Sequence, residues 1–354
     1  MLIYLFLLAT ILLLNVFRKN GNISNRFYCI VVCSLFILIT GLRHNTVGSD
    51  TTGYYLGYYR LSGSSLAEII SLEKRDFGFY IFEWLVDNIF HNFVAVTLIA
   101  ACIFYIPITK LIYRYSDDYG MSYLILMAFM FFQFSMTGIR QTMALGFAVM
   151  FALELLKEET SILKSLVYVV IGITMHRSCL IILPMVLLYF FKKKLSISNV
   201  CLAMLPIVFV FRGTLTSMAL SVFEAIGFEL DTYSGSSGGM TTLLVYFLLL
   251  VWGIFFTYKG EKANELSPSI LSIMGIATVL QIFVSVNSIF FRIVWYYSIF
   301  LIIYIPRMLT ASRVNGKSYI LLKFTVYVGL LYMYLGITIG SAYVVPYQFF
   351  WQGV

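Results

Sequence analysis

Three arginines stand beside predicted helix starts in very apolar parts of this chain. Arg140 lies within the run FSMTGIRQTMALGF, Arg177 follows a histidine at a tight break, and Arg292 opens a late apolar run. A cation at a helix N-terminus opposes the helix dipole unless an anion lies nearby. Guanidinium groups and N-terminal amides together can hold a phosphate or pyrophosphate. For any single arginine, the alternative is snorkelling to lipid headgroups or pairing with an acidic neighbour.

Proton transfer needs a group that titrates near neutral pH, and His176 is the best candidate. It lies beside Arg177, and an imidazole can accept the proton of a hydroxyl. Asp50 and Asp76 are the alternative bases, and they could instead bind hydroxyls or orient the arginines. The competing interpretation of His176 is that it satisfies backbone groups at a tight turn.

Tyrosines follow a polar turn in the run GLRHNTVGSDTTGYY, which contains Arg43, Asp50 and Tyr54. Tyrosines near carboxylates suit sugar rings, through stacking and hydroxyl contacts. The aromatic belt at a membrane interface is the commoner explanation of such tyrosines.

Several kinds of chemistry lack a signal in the sequence. It contains no P-loop, no dinucleotide fingerprint and no HExxH motif. The five cysteines lack metal or redox spacing. We therefore predict neither a metal nor a cofactor, and no nucleic acid partner.

The elements that position these residues are membrane helices. Hydrophobic residues make up 61% of the 354 residues and charged residues only 11%, against about 25% charged residues in soluble domains. The long apolar runs predict an all-α, polytopic bundle of about twelve transmembrane helices, in one membrane domain over residues 1–354. Extracytoplasmic loops are expected at about 43–91 and 212–240, with an interfacial or re-entrant helix at 77–91. The predicted spans are 2–17, 27–42, 93–112, 121–136, 139–156, 162–175, 179–191, 199–211, 241–257, 269–286, 289–306 and 318–338.

The distribution of basic residues predicts the orientation. If the loop at 18–26 is cytoplasmic, most lysines and arginines fall inside and both termini lie outside. The basic residues left outside are almost all arginine: Arg43, Arg60, Lys74, Arg75, Arg140, Arg177, Arg212 and Arg292. Arginine is preferred where a planar fork must grip a phosphate, so the outer face is where we expect the chemistry.

Five segments, in order, resemble the EpsG-like family of exopolysaccharide polymerases, which is related in role to Wzy-type O-antigen and capsule polymerases. GLRHNTVGSDTTGYY is similar to its arginine, GxD and tyrosine element, although Ser49 and Thr51 depart from the expected threonine and aromatic residue. The other four segments are RDFGFYIFEWL, GIRQTMALGF, ITMHRSCLIILP and FRIVWYYSIFLIIYIP, the last of which contains Tyr296.

The resemblance implies a glycosyltransferase in the bacterial cytoplasmic membrane, with its active site facing outside. It would polymerise oligosaccharide repeat units carried on undecaprenyl pyrophosphate into O-antigen, capsule or exopolysaccharide. His176, Arg140 and Asp50 would be catalytic. The pyrophosphate and sugars would contact Arg43, Arg177, Arg292, Asp76, Tyr54 and Tyr296. Membrane lipid, a chain-length regulator and a flippase are the further partners of such a role.

Three other functions compete with this interpretation. A flippase for lipid-linked oligosaccharides should carry polar residues through the midplane, whereas the charges here cluster at one mouth. A membrane O-acyltransferase would need its histidine near a cytoplasmic acyl donor, and His176 maps outside. A non-enzymatic assembly partner could use the arginines to bind the carrier lipid alone.

Overall fold

A computed structural model of the chain describes residues 1–72, 75–157, 161–187, 197–225, 239–259, 268–312, 316–340 and 344–352. Within these ranges the chain is helical, and its β-structure is one isolated bridge between Arg43 and Phe349. The predicted all-α class is therefore confirmed for the described residues. The triple lysine at 192–194 and most of the SGSSGG run at 234–239 lie outside them.

The described residues form two compact units. The first unit comprises Met1–Leu180 and Val314–Val354, and the second comprises Ile181–Arg313. The first unit contains α1 (Leu2–Lys19), α2 (Asn25–Gly41), α3 (Thr51–Leu61), α4 (Leu66–Leu72), α5 (Phe77–Phe90), α6 (Phe93–Tyr115), α7 (Tyr119–Ala128), α8 (Phe131–Ser135), α9 (Ile139–Leu155), α10 (Ile162–Met175) and α17 (Gly316–Gly340). A 3₁₀ helix, Arg177–Met185, follows α10. The second unit contains α11 (Ile197–Val210), α12 (Arg212–Ala225), α13 (Met240–Lys259), α14 (Pro268–Val284), α15 (Phe290–Ser298) and α16 (Leu301–Ala311).

Three helices, α1, α6 and α17, are long and apolar enough to cross a membrane, judged by length and composition. Two bent pairs, α11 with α12 (93°) and α15 with α16 (49°), raise the number to five if each is one broken span. Five shorter apolar helices occur among the described residues as well. The chain is thus a helical membrane protein, but its described residues do not support the predicted count of about twelve spans.

Short helices and local backbone breaks account for the difference. The predicted span 121–136 is divided at Met130, whose left-handed φ of 67° cannot continue a helix. The predicted span 289–306 bends between α15 and α16. The predicted span 179–191 begins as a 3₁₀ helix that contains Pro184, and the predicted loop from 212 begins with a helix, α12.

In the first unit α9 packs between α6 and α10, and α6 also packs against α2. The backbones of α6 and α9 approach so closely that a Cβ on Gly146 would lie 2.3 Å from the Ile103 carbonyl oxygen. Small residues permit such contacts between membrane helices. The short helix α5 packs on α10, where a Cβ on Gly78 would lie 2.3 Å from Thr174 Oγ1. This contact places the start of α5 beside the end of α10.

In the second unit α14 packs against α11, α13 and α15. Gly275 of α14 approaches Cys201 of α11. Tyr304 of α16 donates a hydrogen bond of 2.6 Å to the carbonyl oxygen of Leu249 in α13.

Candidate functional site

The start of α5 carries Asp76, which links three helix starts. Its Oδ2 lies 3.4 Å from Nη1 of Arg140, the second residue of α9. Its Oδ1 accepts a hydrogen bond of 3.1 Å from the backbone N–H of Arg177, the first residue of the 3₁₀ helix. A carboxylate is favourable at a helix N-terminus because it faces unpaired N–H groups and the positive end of the dipole. The anion expected among the arginines is therefore, in this structure, a side chain of the protein itself.

The backbone of Asp76 is strained. Its φ of 50° and ψ of 36° lie in the left-handed region, which costs a residue with a Cβ about 1–2 kcal/mol. Strain of this kind concentrates at functional sites, where the surrounding structure holds the residue in place. Here the contact between Gly78 and Thr174 holds the start of α5.

Arg140 is surrounded by aromatic rings. Its Cζ lies 5.5 Å from the centre of the Tyr54 ring and 6.0 Å from those of Phe79 and Tyr80. Its Nη1 also lies 3.4 Å from the Tyr80 hydroxyl, while its buried Nε makes no hydrogen bond. The side chain keeps 31% of its surface exposed, against 9% for Asp76. The guanidinium is thus held by two contacts of 3.4 Å and by Tyr54, and about a third of the side chain stays exposed.

Tyr54 connects Arg140 to Asp50. Burial raises the pKa of the Tyr54 hydroxyl, and the nearby Asp50 charge acts in the same direction. The charge of Arg140 and hydrogen bonds from its side chain and backbone N–H lower the pKa, without outweighing burial. Tyr54 therefore stays neutral at neutral pH and caps the start of α9. Asp50 itself is exposed and accepts a hydrogen bond of 3.1 Å from Ser49 Oγ.

His176 lies at the end of α10, immediately before Arg177. Its Nδ1 lies 2.6 Å from Ser178 Oγ and 3.3 Å from the Ser178 backbone nitrogen. A backbone N–H can only donate, so Nδ1 is the acceptor in that contact. A neutral ring with Nδ1 as acceptor carries its proton on Nε2. This arrangement makes Nε2 a hydrogen-bond donor rather than a proton acceptor.

Arg43 has a structural setting. It is buried, and its guanidinium donates to the carbonyl oxygens of Val47 and Thr40. The backbone around it pairs with the C-terminal tail, where Phe350 N donates to Leu42 O at 2.9 Å. Burial lowers the pKa of Arg43 to about 10, so it remains charged at neutral pH. Its Nη2 makes no hydrogen bond.

The structure thus brings Asp76, Arg140, Tyr54 and the backbone of Arg177 into one cluster, with His176 and Asp50 beside it. Arg292 and Tyr296 lie on α15, in the second unit, where Tyr296 is fully buried. Their assignment to the substrate stays a prediction.

Sequence reasoning missed the aromatic wall formed by Phe79 and Tyr80. Tyr80 follows Asp76 by four residues, and both side chains contact Nη1 of Arg140. That spacing was the available signal.

Among the described residues no group of three or more His, Cys, Asp or Glu side chains could hold a metal ion.

Comparison with known families gives one match. A family model described as the EpsG family matches residues 25–349, which covers nearly the whole chain and all the residues of the cluster. Neither a curated protein nor a solved structure matches the chain.

Proposed function

Because the chain belongs to the EpsG family, we propose that it is a polysaccharide polymerase that joins lipid-linked oligosaccharide repeat units. The donor is a glycan on a polyprenyl pyrophosphate, of which undecaprenyl pyrophosphate is the bacterial form, and the acceptor is a hydroxyl of a second lipid-linked unit. The product is an O-antigen, capsule or exopolysaccharide. The site faces the outside of the cytoplasmic membrane, as the distribution of basic residues indicates.

The observation that supports this proposal most directly is the partly exposed guanidinium of Arg140 at the start of α9. In the transfer, the acceptor oxygen bonds to the anomeric carbon and the bond from that carbon to the pyrophosphate breaks. The pyrophosphate leaves with the electron pair and stays on its lipid. Negative charge therefore develops where a guanidinium and helix N–H groups stabilise it best. Asp76 positions Arg140 and Arg177 for this role.

The acceptor hydroxyl loses a proton during the transfer. We assign this proton to Asp50, which is exposed and lies near Tyr54. His176, with its proton on Nε2, donates a hydrogen bond to a substrate oxygen instead.

The proposed activity is tested with purified full-length protein in liposomes and lipid-linked repeat units from the same cell. Electrophoresis of the glycans should show a ladder of chain lengths that grows with time and is absent from protein-free liposomes. Transfer of the units across the bilayer without a ladder would instead identify a flippase. Absence of both would contradict the proposal.

The roles of Asp50 and His176 are tested with the variants Asp50→Asn and His176→Ala. Removing a general base lowers kcat by about 10²–10⁴-fold, and we expect this of Asp50→Asn at unchanged KM. His176→Ala should lower the rate less and should leave the shape of the pH–rate profile unchanged. The reverse pattern would restore His176 as the base.

The outer location is tested by cysteine labelling. His44→Cys should react with a membrane-impermeant maleimide in intact cells, and Asn22→Cys, in the predicted inner loop, should react only after permeabilisation. The native cysteines are buried or half-buried, which gives a low background. Labelling in the opposite order would invert the proposed topology.

A further inference from the structure

The second unit contains an apolar recess of about 310 Å³ between three of its helices. From α11 it is lined by Leu205 and Phe209, from α13 by Met240, Leu244 and Phe247, and from α14 by Ile282. The residues from α13 follow a helical spacing of three and four, so they form one face of that helix. No polar side chain of the described residues lines the recess.

The contacts of α14 define the direction of its two neighbours. Gly275 approaches Cys201 of α11, and Ile282 shares the recess with Phe209, so α11 and α14 are parallel. Gly239, before α13, approaches Gln281, and Thr278 approaches the Tyr246 carbonyl oxygen, so α13 runs the opposite way. The C-terminal end of α11 and the N-terminal end of α13 therefore meet at the same end of the recess.

A cation stands at this end. Arg212 begins α12, and its Cζ lies 4.3 Å from the centre of the Phe209 ring, one of the rings that line the recess. Its Nη1 donates to the Phe209 carbonyl oxygen at 2.8 Å, which fixes the guanidinium against the ring. The N-terminus of α13 adds N–H groups, and its first turn contains no acidic residue. Charge and dipole both favour an anion there.

We propose that this recess holds the isoprenoid tail of the carrier lipid of the acceptor unit, with the diphosphate of that lipid at Arg212, whereas the leaving pyrophosphate assigned to Arg140 belongs to the donor. Along α13 the apolar lining extends from Met240 to Phe247, which is about 10 Å at 1.5 Å per residue. It therefore takes the head-proximal part of a long tail, while the rest lies in the bilayer. Arginine suits a diphosphate because its fork donates two parallel hydrogen bonds. This inference rests on the proposed function for the identity of the lipid.

The test uses purified full-length protein in nanodiscs and a polyprenyl diphosphate that carries a diazirine near its head. We expect photolabelling of peptides from 197–210 or 240–259, and displacement by unlabelled polyprenyl diphosphate. The variant Leu244→Trp fills the recess and should reduce labelling by about tenfold, since it removes contacts of a few methylene groups. The matched control is Leu248→Trp, one turn further along α13, because the side chains of Leu244 and Leu248 are 56% and 55% exposed and only Leu244 lines the recess. The control should label like the wild type.

A second arm tests the role of Arg212. With the wild type, unlabelled polyprenyl diphosphate should displace the photolabel better than polyprenol does. The variant Arg212→Gln should remove this preference. Equal labelling in Leu244→Trp would overturn the proposal. So would equal labelling by a diazirine phosphatidylglycerol that polyprenyl diphosphate does not displace, because bulk lipid would then fill the recess. Labelling needs no turnover. If the wild type makes glycan ladders but shows no displaceable photolabelling of the recess, the proposed function stands and the lipid site is overturned. If the recess is labelled but no ladder forms, the lipid site stands and the proposed function is overturned.

Discussion

Two charged clusters lie at the two ends of α6 in the first unit, and they differ in how well their charges are paired. At the N-terminal end, Asp76 meets Arg140 at 3.4 Å. At the C-terminal end, Asp118 meets Lys323 at 2.6 Å and Lys19 at 3.5 Å. The helix α6 has 23 residues and is about 35 Å long.

The Asp118 carboxylate has several partners close by. Besides the two lysines, the Tyr327 hydroxyl donates to its Oδ1 at 3.0 Å, and the Met121 backbone N–H at 3.3 Å. It caps α7 and joins the ends of α1 and α17 to it. In the Asp76 cluster the ion pair is longer, at 3.4 Å, and the backbone of Asp76 lies in the left-handed region. The side chain of Arg140 is about one-third exposed. Similar residue types thus form a closely paired cluster at the Asp118 end and a cluster with longer ion-pair distances at the Asp76 end, where we propose that an anion binds.

The largest expected effect is on activity at the Asp76 end. Arg140→Ala should lower the rate of chain extension by on the order of 100-fold or more, because it removes charge stabilisation of the leaving pyrophosphate. The rate of Arg140→Lys should lie between those of the wild type and Arg140→Ala, since lysine keeps the charge but lacks the planar guanidinium with its two parallel donors. Initial rates are measured at equal protein levels, with Arg114→Ala, an exposed arginine after the apolar part of α6, as the control. Normal ladders in Arg140→Ala would remove Arg140 from the site.

The next effect is on stability at the Asp118 end. Asp118→Ala should lower the free energy of unfolding by about 1–3 kcal/mol, because it removes a helix cap and leaves Lys323 without its partner. Thermal unfolding in detergent measures this loss, and the folded fraction should keep its polymerase rate. If Asp118→Ala were as stable as the wild type but inactive, the two clusters would have the opposite roles.

A smaller pair of variants removes one hydroxyl from each cluster. Tyr80→Phe should lower the rate by up to about tenfold with little change in stability, because it removes one long contact to the Arg140 guanidinium. Tyr327→Phe should cost about 1 kcal/mol of stability and leave the rate unchanged. If both variants lowered the rate, or both lowered the stability, the two clusters would not differ in role.

The smallest effect near neutral pH is the titration of Asp118. Burial raises the pKa of this carboxyl, but Lys323, Lys19 and the Met121 N–H together bring the pKa below its ordinary value. A carboxyl with a lowered pKa adds stability above its unfolded-state pKa, about 3.9, and this stability is lost as the pH falls through the folded-state pKa. The wild type should therefore lose stability on acidification below about pH 4 more steeply than Asp118→Asn. Parallel curves would exclude this origin.

The sequence predicted much of the helical framework. The predicted segments at 139–156 and 162–175 correspond closely to α9 and α10, because an apolar run with a clear boundary indicates a helix whatever surrounds it. It did not predict the break at Met130, or that a helix rather than a loop begins at Arg212. Such changes of direction depend on what a few residues pack against, and a hydropathy pattern averages over them.

Residue types alone indicated which side chains are candidates for chemistry. Arginines in apolar runs, a histidine beside one of them and a turn of aspartate and tyrosines marked Arg140, His176, Asp50 and Tyr54, since each is costly in an apolar setting without a partner. Their partners could not be read from the sequence. Asp76 meets Arg140 across 64 positions, and only the packing of α5 on α10 brings them together. The tertiary structure also placed the backbone of Arg43 against the C-terminal tail and Asp118 between two lysines. Which residues pair depends on their distance in space, and the order of residues along the chain does not specify that distance. The energetic cost of burying a charge, by contrast, is a property of the residue itself.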